Sequence, residues 1–202
     1  MNIRNKAWWL SACASLLYLT AHAQTTAPET VTLLPTDDGF VSDELPFDGF
    51  PDTIDSEFVV VQLVTDEAGG FLVIDRRGVM EFDLSSLAGR SVQKAILKLS
   101  MSSASTPDGT FVIPIEIRQY KGNGVVGLTD FHRGAFATSF DMRSFTLTNL
   151  TVRVDITKAV RNALSHQWTY LGLTMRTNVD KAGISLGSLE HPPSPSLVIT
   201  LD

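Results

Sequence analysis

The feature that most restricts this 202-residue chain is a recurring period of two. Met80, Phe82 and Leu84 alternate with Glu81 and Asp83, and short apolar runs of this kind recur along the chain while helical spacing is scarce. The predicted strands are Thr30 to Leu34, Phe58 to Thr65, Gly70 to Asp75, Val79 to Leu84, Gln93 to Met101, Phe111 to Tyr120, Ser144 to Leu147, Thr151 to Ile156, Tyr170 to Arg176, Ile184 to Leu186 and Ser196 to Leu201. Turn signals such as DEAGG, PDG and KGNG separate several of them. One helix is predicted over Thr157 to Ser165, where Ala159, Val160, Ala163 and Leu164 share an apolar face behind a Thr157 or Asp155 cap. Many short strands and one short helix describe an all-β sandwich or barrel.

The first 23 residues stand apart: Arg4 and Lys6 precede the apolar run Ala7 to Thr20, and Ala21-His22-Ala23 is an A-x-A cleavage site. We read residues 1–23 as a secretory signal peptide, which predicts a periplasmic or extracellular protein with no membrane span. LSAC, Leu10 to Cys13, also matches a lipoprotein signal, but lipidation at Cys13 would leave only Ala7 to Leu10 as the apolar segment. Without Cys13 the mature chain has no cysteine, so a packed core has to stabilise it in an oxidising compartment. Residues 24–202 are enough for one domain, expected to be a monomer. Removing Arg4 and Lys6 leaves 14 basic against 22 acidic residues, a net −8, which argues against nucleic acid as a partner.

That charge is unevenly placed. No Lys or Arg occurs from Gln24 to Asp75, and PTDDGFVSDELPFDGFPDTID, Pro35 to Asp55, reads as an acidic loop extending to about residue 57. Its three Phe imply docking onto the body of the domain. A hard cation such as Ca²⁺ would relieve the repulsion, with Asp37, Asp38, Asp43, Asp48, Asp52 and Asp55 as the candidate ligands. No D-x-D-x-D-G loop is present, and the competing reading is a solvated acidic face.

Three segments together resemble one family. RRGVMEFDLSSLAGRSVQKAILKLSM, VRVDITKAVRNAL with WTYLGLTMR, and SLGSLEHPPSPSLVITL resemble, in order, the motifs of the DNRLRE-domain family, also grouped as carbohydrate-binding module family 96. The resemblance spans about Val31 to Leu201 and implies a jelly-roll β-sandwich, with binding of acidic polysaccharides such as alginate described for some members. The acidic Pro35 to Asp55 segment departs from the family's Asn-Tyr-Gly style segment. In the family frame Arg76 and Arg77 mark the start of a central strand, with one side chain turned inward. That arginine would need an acid of the N-terminal third or Glu190 as partner, an architectural role shared with Asp83 and Asp155 of the motifs.

Three function classes remain: a non-catalytic polysaccharide-binding module, a structural or adhesive cell-surface protein without a soluble ligand, and a glycan-active hydrolase. No G-x-S-x-G, H-E-x-x-H or phosphate-binding glycine loop occurs, and His132, His166 and His191 lack metal-ligand spacing. We therefore expect no enzymatic activity. If Leu97, Leu99, Ile115, Ile117, Val152, Val154, Leu173 and Met175 face the core, alternation turns Lys94, Lys98, Arg118, Tyr120, Arg153 and Arg176 outward. Outward guanidinium groups beside a tyrosine suit a uronic-acid chain. Jelly-roll strands divide between two sheets, so not all of these can converge. Trp168 is either a stacking platform or a plug over the helix end.

Overall fold

Alternation builds twelve strands among the described residues of the computed structural model, which are 27–44, 49–65, 72–105, 112–143 and 150–202. They are β1 (Thr30–Leu33), β2 (Asp37–Asp43), β3 (Thr53–Asp55), β4 (Val59–Thr65), β5 (Leu72–Asp83), β6 (Val92–Ser105), β7 (Val112–Lys121), β8 (Ala135–Arg143), β9 (Leu150–Asp155), β10 (Tyr170–Thr177), β11 (Ala182–Leu186) and β12 (Ser196–Leu201). The helix α1 spans Thr157–Ser165 as expected. Ile156 holds the N-cap position, and Asp155 just before it ties the first turn, its Oδ1 accepting from the Thr157 N–H at 2.9 Å and from the Thr157 hydroxyl. Those two bonds hold the Asp155 carboxyl below its ordinary pKa.

The architecture is an antiparallel β-sandwich rather than a closed barrel. Hydrogen bonding runs β1-β12-β6-β11-β4-β5-β10-β7-β8, with β9 on β6, β2 on β5 and β3 on β2. The two longest strands change partners along their length: β5 pairs with β4 through residues 72–76 and with β10 through residues 78–83. β6 pairs with β12 through residues 92–98 and with β11 through residues 101–105. Such switches let hydrogen-bonded strands fold over one core.

That core takes Phe82 and Met80 from β5, Leu97 and Leu99 from β6, Ile115 and Ile117 from β7, and Leu173 and Met175 from β10, all fully buried. Val154 joins them, and Val152 packs at their margin. Ala159, Val160 and Ala163 of α1 close one end. A second, smaller cluster of Val41, Val79, Tyr120, Val126 and Phe131 lies on the other face of β5 and β7. There the connection from β7 to β8 covers the sheet.

Three sequence expectations need correction. Gly70 to Asp75 and Val79 to Leu84 are parts of one strand, so Arg76 and Arg77 lie in its middle. The acidic loop contains β2 and β3, a hairpin pairing Phe40 with Asp55 and Ser42 with Thr53. β8 went unread, because Ala, Thr and Ser give its sequence little apolar alternation and a register shift beside Ile117 breaks what remains. The predicted strand Ser144 to Leu147, the signal segment 1–23 with Cys13, and Asp48 lie outside the described residues.

Candidate functional site

The acids of β2 and β3 do not share one face. Asp37 Oδ2 accepts from the Val126 N–H at 2.8 Å, on the side of the covering loop. Asp38, one residue on, points to the opposite side, where its Oδ1 accepts from the Leu189 N–H at 3.2 Å. Asp43 is buried, Asp52 accepts from the Glu44 N–H, and Asp55 caps the Glu57 N–H. Among the described residues, no group of three or more His, Cys, Asp or Glu is placed to hold a metal ion.

Asp38 carries a titration. It is 1 % exposed, and its Oδ2 has no hydrogen-bond partner among the described residues. Burial, reinforced by the negative charges of Glu190 and Asp37, pushes its carboxyl up to about 6. The unfolded chain holds this proton less tightly than the folded one, so the contribution of Asp38 to stability falls as pH rises from about 4 to about 6 and is level above that. Asp38→Asn should remove this slope, a difference of at most about 3 kcal/mol between pH 4 and pH 7. Denaturant titrations of both proteins across that interval would read it, and parallel profiles would refute it.

Arg76 and Arg77 both bind acids of the N-terminal third. Arg77 is the half-buried tie: its Nη2 and Nε donate to Asp75 Oδ2 at 2.7 and 3.1 Å, and its Nη1 donates to the Phe131 carbonyl at 2.7 Å. The guanidinium also lies 3.8 Å from the Phe131 ring centroid, so one side chain fastens β5 to the covering loop. Arg76 pairs with Glu44 at 2.9 Å and with Gln62 Oε1 at 3.0 Å. It is one-third exposed, where such pairs contribute about 1 kcal/mol or less. Glu190 is exposed and takes neither arginine. Asp83 accepts from the Ser85 N–H and starts the turn after β5.

The expected basic groove divides. Arg118 and Arg176 both bind Glu116, at 3.2 and 2.9 Å, and Arg118 also donates to the Gly134 carbonyl. Tyr120 corrects the outward-stacking reading. It lies on the face alternation assigned, but the covering loop buries it to 5 % exposure, and its hydroxyl donates to Glu81 Oε1 at 2.9 Å. Trp168 is half-buried and packs against the core at the end of α1, beside His166, with its indole on the wall of a shallow cleft of about 240 Å³.

Lys98 and Arg153 come together. They are register partners on β6 and β9, and neither forms an ion pair among the described residues. Lys94 lies on the same face, four residues before Lys98. Two residues along the strands in the other direction, Ser100 and Thr151 are also register partners, so alternation places all four on one face.

Ser100 and Thr151 line a cleft of about 430 Å³ with Ser102, Phe58, Gly187, His191, Pro192 and Pro193. Sequence reading found the two bases by alternation. It missed the cleft, whose wall is the irregular segment between β11 and β12. Among the described residues no helix is long and apolar enough to cross a membrane. No family model matches the chain, and no curated protein matches it.

Proposed function

We propose that the protein is an exported, non-catalytic binding module for acidic polysaccharide, as the DNRLRE-domain resemblance implies. The observation that carries this reading is the Lys98–Arg153 pair: two cations side by side, without an acid partner among the described residues, two residues along the strands from the hydroxyl pair Ser100 and Thr151 that lines a cleft. In a chain with 22 acidic and 16 basic residues, bases left unneutralised on one face select for an anion. A guanidinium and an ammonium at adjacent strand positions suit a carboxylate, the first through its planar fork and the second as a point charge.

Calorimetry against polyuronates and their neutral counterparts tests the reading. Binding should require the carboxylates and weaken as salt rises, since the Debye length falls from about 10 Å at 0.1 M to about 3 Å at 1 M. Lys98→Ala and Arg153→Ala should each lower affinity about tenfold and flatten the salt dependence. Equal binding of neutral and acidic chains at all salt concentrations would overturn it, and hydrolysis of the chain would replace a binding module with an enzyme.

A further inference from the structure

The cleft beside Lys98 and Arg153 has a ring wall. Phe58 and His191 lie parallel, with centroids 4.3 Å apart and planes inclined by 7°. Phe58 is half-buried and His191 is exposed, so the phenyl backs the imidazole and leaves the other imidazole face to solvent. The backbone beneath fixes this geometry. The His191 N–H donates to Ser188 Oγ at 3.1 Å, the Ser188 N–H donates to the His191 carbonyl at 3.1 Å, and the Ser188 hydroxyl donates to the Glu57 carbonyl next to Phe58. Asp38 anchors the same turn through the Leu189 N–H. The ring is therefore positioned before any ligand arrives, which reduces the ordering cost of binding.

Ser100 and Thr151 also line the cleft, and their hydroxyls make no hydrogen bond among the described residues. The volume of about 430 Å³ lies within the ~300–1,000 Å³ of small-molecule sites. The cleft thus offers a ring face and free hydroxyls, and from Ser100 and Thr151 the strands lead about 7 Å further to two cations. A pyranose ring has the matching features: one face of C–H groups, hydroxyls at its rim and, in a uronic acid, a carboxylate on one side.

We propose that this cleft is a subsite for a single uronic-acid unit, with the sugar face on His191, the ring hydroxyls on Ser100 and Thr151, and the carboxylate toward Lys98 and Arg153. The inference rests on the acidic-glycan reading above and assigns it the residues that recognise the ring. His191 supplies contact area and the bases supply charge, so the two contributions separate experimentally.

The test is calorimetry on the full chain with hexamers of mannuronate, guluronate and galacturonate at low and high salt. His191→Ala should weaken binding about tenfold at both salt concentrations and leave the salt slope unchanged, whereas Lys98→Ala flattens the slope. His191→Tyr, which keeps an aromatic face, should retain most of the affinity. In the unsubstituted protein, the His191 ring protons should shift on adding the hexamer, a readout that does not depend on how a variant folds. If His191→Ala binds like the parent, and the His191 ring protons of the parent do not move on adding the hexamer, while Lys98→Ala is weakened, the ring subsite is wrong and acidic-glycan binding stands. If no hexamer binds the parent protein, both fall.

Discussion

Glu81→Ala is expected to lower the stability of the sandwich by about 3–5 kcal/mol. Glu81 is fully buried on β5, on the face away from the main core. Its Oε1 accepts from the Tyr120 hydroxyl at 2.9 Å, and its Oε2 accepts from the N–H groups of Asn123 and Gly124. Alanine leaves three donors facing a void they cannot share with bulk water. Each such group costs about 1–3 kcal/mol.

The effect should reach past the immediate site, because those bonds hold the start of the loop that carries Val126 and Phe131 over Val79 and Val41. Burial, together with the negative charges of Glu81 and Asp130, raises the Tyr120 pKa far above its ordinary value, so the phenol remains a donor throughout the accessible pH range. Glu81→Gln should lose less, since one oxygen still accepts while its amide nitrogen meets a donor it cannot satisfy. Denaturant titration reads both variants, and an unchanged midpoint for Glu81→Ala would mean that the loop is held by its apolar contacts alone.

This cluster also marks where sequence reading stopped. Alternation from Ile115 and Ile117 put Tyr120 on the face away from the core, which is where it lies. What alternation cannot report is that a distant loop buries that face, because such a loop has no period of its own. The same limit explains β2. In DDGFVSD, Asp38, Ser42 and Asp43 are all buried, so the strand lacks the apolar signature from which burial is inferred. α1 and the core strands were legible because their apolar positions recur at the helical or strand period. The Lys98–Arg153 pair was legible as two outward positions on neighbouring segments, and their direct register needed the fold.

Gly172→Ala is expected to destabilise by about 3 kcal/mol or more, from overpacking combined with loss of the Tyr120 hydrogen bond. Gly172 on β10 is the register partner of both Glu81 on β5 and Tyr120 on β7. The tyrosine reaches Glu81 only by lying across the strand between them. A Cβ at residue 172 would stand 2.2 Å from Tyr120 Cζ and within 2.5 Å of two further ring carbons. The ring is held by its hydroxyl and enclosed by the covering loop, so relieving such an overlap displaces either the hydrogen bond or the β10 register. The cause is open to a double-mutant cycle. Tyr120→Ala alone should be strongly destabilising through the cavity it leaves and the partner it removes from Glu81. Adding Gly172→Ala to that background should then cost little, because the methyl group enters vacated space. Equal costs of Gly172→Ala in the two backgrounds would place the strain in the backbone of β10 and refute the steric account.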